Sequence, residues 1–136
     1  MTFAEKLAEF AELAVKIGVN VQPGQYLLIN TTTDTLEFTR EVVKKAYEAG
    51  AGRVHVNLTD AVFERAFFEH TTVEELEKFP KWIVAQREEL IERNGALLWI
   101  DAADPDLLAG IDVGKISTHQ KVSGAALVNY RKAVMN

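Results

Sequence analysis

Three acidic residues follow the third apolar run of the chain and have the side chains best suited to bind a metal ion. Asp101, Asp104 and Asp106 come directly after residues 96–100. Open α/β sheets bind ligands at the carboxyl ends of their strands, and carboxylate oxygens are ligands for hard cations. Asp104 is also a typical helix N-cap residue, and Pro105 suits the first helical position. Capping is therefore the favoured interpretation and metal binding the alternative.

Polar residues also end the first apolar run. Asn30 and Thr31 are followed by two further threonines, but no histidine or cysteine lies near enough in sequence to activate a threonine nucleophile. Turn and cap chemistry is the favoured role for these threonines. Because parallel strands end at one edge of a sheet, Asn30, Thr31 and Asp101 remain weak candidates for a small-ligand cleft.

The histidines do not form a metal-binding pattern. His55, His70 and His119 include no pair spaced four residues apart, and the chain has no cysteine. His70 is predicted at a helix C-terminus and His55 on the polar face of a strand, where surface roles are favoured. The residues alone give no role for His119. We therefore assign no catalytic or metal-binding residue in this chain.

Composition and glycine spacing exclude several other classes of protein. The glycines form neither the dinucleotide-binding motif G-x-G-x-x-G nor the phosphate-binding loop G-x-x-x-x-G-K-[ST]. The chain has 15 Lys and Arg against 20 Asp and Glu, which argues against nucleic acid as a partner. No apolar run is long enough to span a membrane, and the N-terminal residues do not resemble a signal peptide. The expected location is the cytoplasm.

Hydrophobic periodicity predicts strands that alternate with helices. The predicted strands are 26–30, 53–58 and 96–100. The predicted helices are 3–18, 35–49, 60–70, 72–93 with a break at Pro80, and a last one from Asp112 or Ser117 to Met135, with a short turn of helix at 107–109. Gly18 and Gly50 are predicted helix ends, and Asp34 with Glu37 and Thr72 with Glu75 are predicted capping boxes.

This element order predicts an α/β fold, namely a three-layer, Rossmann-like parallel sheet flanked by helices. The second strand alternates polar and apolar residues, whereas the first and third are apolar, so the expected strand order is 2-1-3. Aromatic residues at helical spacing, Phe63, Phe67 and Phe68, are interpreted as core, and Trp82 and Trp99 as core or interface.

The third strand presents a difficulty for this arrangement. It would be an edge strand that is apolar on both faces, which is an aggregation hazard. The chain also ends on a helix with no strand after it, although a crossover helix normally leads to another strand. We therefore expect an incomplete sheet, whose missing strands a longer natural polypeptide supplies. Pairing of two such edges in a dimer is the competing explanation.

Three stretches of sequence resemble a known family. These are Leu7–Gln25, Phe79–Trp82 and Asp104–Asp112, and in this order they are similar to the N-terminal region of the M29 metallo-aminopeptidases, the thermophilic-type aminopeptidases. The resemblance runs along essentially the whole chain. It implies that residues 1–136 are the N-terminal domain of a longer, two-domain, cytoplasmic and homodimeric enzyme that removes N-terminal amino acids from peptides.

The resemblance also implies a cofactor. Such enzymes use two divalent metal ions, zinc, cobalt or similar, to activate a water molecule. The family's ligands are carboxylates, histidines and a tyrosine in the C-terminal half, and none of those motif positions is present here. This chain alone is therefore expected to be inactive. The alternative is a free-standing α/β interaction or small-ligand-binding module that self-associates through an exposed strand edge.

Overall fold

The structure, a computed structural model, describes residues 2–100 and 109–128, which form two compact units. Residues 2–60 and 93–100 belong to the first unit, and residues 61–92 and 109–128 to the second. The first unit contains all the strands described below, and the second contains helices.

The first unit alternates helices and strands, as the periodicity predicts. Its elements are α1 (Phe3–Leu13), which continues as a π-helical segment (Ala14–Val19), β1 (Tyr26–Thr32), a 3-10 turn (Thr33–Thr35), α2 (Leu36–Glu48), β2 (Arg53–Thr59) and β3 (Ala96–Trp99). The second unit consists of α3 (Ala61–His70), α4 (Val73–Leu76), α5 (Lys81–Glu92) and α6 (Val113–Ala126). Each predicted strand and long helix that falls on described residues is present.

The sheet has the order β2-β1-β3, and both pairings are parallel. This confirms the predicted order 2-1-3 with β1 in the centre. Leu27 is in register with Val54 of β2 and Ala96 of β3, so these three side chains share one face of the sheet. On that face the core is formed by residues from β1, α1 and α2, including Leu27, Ile29, Ala11, Val15, Val42 and Ala46.

The helix α1 starts at Phe3, as predicted, but ends differently from the prediction. Thr2 accepts a hydrogen bond from the Glu5 amide at 3.1 Å, and the Glu5 carboxylate accepts one from the Thr2 amide at 3.2 Å. This is a capping box that the sequence analysis missed. The predicted end at Gly18 is wrong, because helical structure continues to Val19 and ends at Asn20, whose φ is 55°. Asparagine tolerates this left-handed conformation better than most residues.

The observed start of α2 also differs from the predicted one. Asp34 lies inside the 3-10 turn, and the N-cap is Thr35, which makes no side-chain capping bond. The Asp34–Glu37 capping box is therefore wrong, because the extra turn moves the helix start one residue past Asp34. At the other end Gly50 has a φ of 102°, which confirms it as the residue that stops the helix.

The helices of the second unit follow the sequence signals more closely. Thr72 accepts a hydrogen bond from the Glu75 amide at 3.1 Å, as a capping residue should. Pro80 falls between α4 and α5, which confirms the predicted break. The helix α6 begins after Asp112, whose carboxylate accepts from the Gly114 amide at 2.9 Å. Most of the predicted short helix 107–109, and the end of the last predicted helix near Met135, lie outside the described residues.

The prediction that Phe63, Phe67 and Phe68 form core is only partly right. Phe68 is buried, whereas Phe63 is 70% exposed. Trp82 and Trp99, predicted as core or interface, are 72% and 63% exposed and so do not belong to the core. Phe67 is 44% exposed. The residue spacing along α3 predicted an apolar stripe, but of its three aromatic residues only Phe68 is buried.

Candidate functional site

Thr31 lies at the end of β1, and its hydroxyl is directed into the first unit. The residue is 3% exposed. Its Oγ1 is 2.6 Å from Oγ1 of Thr35 and 3.0 Å from Oγ1 of Thr39. The Thr35 hydroxyl also donates to the Thr32 carbonyl at 3.1 Å, and the Thr39 hydroxyl to the Thr35 carbonyl at 2.9 Å. These hydroxyls join the end of β1 to the first turn of α2, as turn and cap residues do.

Asn30 lies on the opposite face of the sheet from Thr31, because successive side chains alternate along a strand. It is buried, and its side-chain Oδ1 accepts a hydrogen bond from Nδ2 of Asn57 at 3.0 Å. The Asn57 Oδ1 is in turn 3.2 Å from Nε2 of His55, which is exposed. Hydrogen bonds thus join His55 and Asn57 of β2 to Asn30 of β1 across this face, and His55 is the solvent-exposed end of the row.

Further hydrogen bonds connect the ends of β1 and β2. The Thr33 hydroxyl donates to the Asp60 carboxylate at 2.7 Å, and the Thr59 hydroxyl donates to the Thr31 carbonyl at 3.2 Å. Asp60 was predicted only as the first residue of the helix 60–70, and Asn57 and Thr39 were not predicted as site residues. Strand register is the signal that would have placed Asn57 beside Asn30, since the two are direct partners.

Two of the three weak cleft candidates, Thr31 and Asn30, point to opposite faces of the sheet, and each has its own hydrogen-bond partners. Asp101, with Asp104 and Asp106, lies outside the described residues. A ligand cleft that includes Asn30, Thr31 and Asp101 stays a prediction.

The described polar groups that join the ends of β1 and β2 are amide and hydroxyl groups that bond to one another, together with the Asp60 carboxylate, which accepts from Thr33. These groups do not provide the ligand set of a pair of divalent metal ions. Within residues 2–100 and 109–128, no three His, Asp or Glu side chains come together as a metal-binding group. Catalytic zinc sites use three protein ligands, typically imidazole and carboxylate groups. The described part of the chain does not bring such a set together.

Three further titratable residues, His119, Glu12 and Lys16, occupy packing or surface positions. The imidazole of His119 packs edge-on against the rings of Phe67 and Phe68, with centroid distances of 5.8 and 5.3 Å. Where α1 continues as the π-helical segment, the Lys16 ammonium donates to the Glu12 carboxylate at 2.7 Å, which lowers the pKa of Glu12 and raises the pKa of Lys16.

None of the helices in the described part of the chain is both long and apolar enough to cross a membrane.

Comparison with known proteins identifies the family. The sequence profile of the thermophilic metalloprotease family M29 matches residues 3–136. Aminopeptidase AmpS of Bacillus subtilis is 42% identical over 135 residues, and Aminopeptidase 2 of Geobacillus stearothermophilus is 40% identical over 131 residues. These matches cover 99% and 96% of this chain but only 33% and 32% of the relatives.

A solved structure gives the same result. Wild-type AmpT from Thermus thermophilus superimposes with a TM-score of 0.89 at 27% identity, and the match covers 98% of this chain and 34% of that one. The chain thus spans about a third of the length of the relatives it matches. On the family profile and on these identities, the chain belongs to the M29 family of thermophilic metalloproteases.

Proposed function

We propose that this chain is the N-terminal domain of a two-domain, metal-dependent aminopeptidase that releases N-terminal amino acids from peptides. The observation that carries the proposal is the family match over residues 3–136, joined to the aminopeptidase names of the relatives. The relatives are about three times as long as the matched region, because the match covers 33% and 32% of their length. That difference leaves room for a second domain.

The metal centre of this proposal lies in the part of the longer protein outside this chain. The match to a metalloprotease family supports a metal requirement. The polar side chains that end β1 and β2 support a structural role for this domain, because they hydrogen-bond to one another across the sheet and to α2. Two divalent metal ions, held elsewhere, would activate the water that attacks the peptide bond.

The cellular setting and partners of the enzyme are also proposals. We infer a cytoplasmic homodimer that acts on peptides and has no nucleic-acid or membrane partner. The absence of cysteine from the sequence is compatible with a reducing compartment, and the formal charge of -5 disfavours binding to phosphate backbones.

Hydrolysis of a leucine chromogenic amide tests the proposed activity. The product of the complete reading frame should turn over the amide in the presence of zinc or cobalt and lose activity to a chelator. The 136-residue chain, assayed at the same concentration with the same metals, should show no turnover above the metal-only control. Turnover by the 136-residue chain, or a complete reading frame that ends at Asn136, would contradict the proposal.

A further inference from the structure

The turn between α5 and β3 contains the one asparagine of the sequence that is followed by glycine, Asn94 before Gly95. Asn94 is exposed and has a φ of 52°, and its backbone carbonyl accepts a hydrogen bond from Nε2 of Gln25 at 2.9 Å. The Gln25 side-chain oxygen Oε1 in turn accepts from the Gln22 amide at 2.9 Å. Gln25 thus joins the turn before β1 to the turn before β3.

The backbone that follows Asn94 is open to reaction with the Asn94 side chain. Glycine has no Cβ atom, so its amide nitrogen can approach a neighbouring group closely. Among the described residues, none accepts a hydrogen bond from the Gly95 amide. The Gly95 nitrogen and the Asn94 side-chain carbon Cγ are held near each other by the chain itself, which favours an intramolecular reaction between them.

We propose that Asn94 deamidates spontaneously to isoaspartate and aspartate, which makes this turn a site of covalent modification. The Gly95 amide nitrogen loses its proton and attacks Cγ of Asn94, the bond from Cγ to Nδ2 breaks, and ammonia leaves with the proton. Water then opens the succinimide ring that has formed. Attack of water on the backbone carbonyl carbon releases its bond to the Gly95 nitrogen and gives isoaspartate, whereas attack on Cγ gives aspartate.

Both products carry a new negative charge, and isoaspartate also lengthens the main chain. In isoaspartate the chain runs through the former side chain, so the carbonyl that Gln25 binds becomes part of a free carboxylate. The new charge lies just beyond the C-terminal end of α5, where the helix dipole disfavours it. The extra methylene group comes directly before β3, whose first residue Ala96 is in register with Leu27. The modification therefore weakens the link between the two turns.

Asn20 provides a matched control within the same chain. It is also exposed, has a φ of 55° and ends a helical segment. The residue after it is Val21, which is buried and β-branched and whose amide donates to the Val15 carbonyl at 3.1 Å. Because this amide is already bonded and lies beside a bulky side chain, Asn20 should react slowly.

Peptide mapping by mass spectrometry tests the proposal. The product of the complete reading frame is incubated at mildly alkaline pH, which favours loss of the amide proton, and is digested at intervals. Asn94 should convert at least about tenfold faster than Asn20, with isoaspartate and aspartate distinguished by fragmentation. Equal rates at the two asparagines would overturn the proposal.

The variant Gly95→Ala separates the effect of glycine from that of exposure. Gly95 has no positive φ, so alanine fits the same backbone conformation. The added methyl group should slow conversion of Asn94 at least about tenfold and leave Asn20 unchanged. Conversion of Asn94 at the wild-type rate in this variant would contradict attack by the Gly95 nitrogen.

Separation by charge provides a measurement of the structural consequence. Ion exchange resolves the modified protein from the unmodified protein, because the product has an additional negative charge. The isoaspartate fraction should melt at least about 2 °C below the unmodified fraction. Equal melting temperatures would refute the weakened link between Gln25 and the turn before β3.

Discussion

The hydroxyl groups at the end of β1 show how single residues are used in this domain. The Thr31 hydroxyl contacts two other threonine hydroxyls, and both of those also donate to backbone carbonyls. A run of threonines after a strand is compatible with catalysis or with turn chemistry when only the sequence is known. Of the hydrogen-bond partners of Thr31, Thr35 directly precedes α2 and Thr39 lies within it, and sequence patterns do not report such contacts.

Replacement of Thr31 by valine should destabilise the domain. The valine keeps the shape of the side chain but removes its contacts to the Thr35 and Thr39 hydroxyls, which still donate to backbone carbonyls, so the cost should be about 0.5 to 1.5 kcal/mol. Urea unfolding measures this loss. The control Thr32→Val removes the neighbouring hydroxyl of β1, which makes no hydrogen bond within the described part of the chain, so it should not destabilise the protein. Unchanged stability of Thr31→Val, with a loss of kcat/KM in the complete enzyme, would instead indicate a ligand contact.

At the scale of elements, the patterns predicted what depends on local sequence. The alternating residues of β2, the apolar run of β1 and the break at Pro80 were all confirmed. The end of α1 was not, because a π-helical segment extends the helix past Gly18 to Asn20. Hydrophobic spacing also could not show which aromatic residues are buried, since burial depends on which neighbouring helices cover each face.

A contact between two turns illustrates the same limit. A Cβ atom placed on Gly52 would lie 2.4 Å from the Gly24 carbonyl oxygen. The two turns are joined by hydrogen bonds from the Gly52 amide to the Gln25 carbonyl and from the Gly24 amide to the Gly50 carbonyl, both 2.8 Å long. The sequence predicted a helix end at Gly50, but not that its backbone contacts the turn at Gly24.

We expect Gly52→Ala to cost at least about 2 kcal/mol of unfolding free energy, because backbone atoms would have to move. Gly18→Ala is the matched control. No atom lies within 4 Å of its added Cβ and the residue is helical, so alanine should stabilise the chain by about 0.5 to 1 kcal/mol. Thermal unfolding followed by circular dichroism measures both changes. Equal effects of the two substitutions would show that the close approach of the two turns is not formed.

At the scale of the whole molecule, the chain has the composition of a globular protein but exposes many large apolar side chains. Residues of α1 and α3, such as Phe3, Ile17 and Phe63, are among them, as is Trp99 of β3. Exposed apolar surface of this kind often marks contacts with other protein surfaces. This exposed surface supports the proposal that the chain is one part of a larger enzyme. If another part of that enzyme covers β3, its apolar residues need no ligand-binding role.

The family resemblance predicted more about function than the individual residues did. Composition and periodicity indicated an α/β domain, and the search for chemistry found no ligand set to assign. The ordered stretches Leu7–Gln25, Phe79–Trp82 and Asp104–Asp112 identified the M29 family, which the profile match over residues 3–136 confirmed. The catalytic residues themselves could not be predicted, because in this proposal they belong to polypeptide outside this chain.

Metal stoichiometry tests the central claim most directly. The 136-residue chain and the product of the complete reading frame would be dialysed against zinc and the bound metal counted by mass spectrometry. We expect about two zinc ions per complete polypeptide and none retained by the 136-residue chain. Retention of one or more zinc ions by the folded 136-residue chain would contradict the account, because it would place a metal site within this domain.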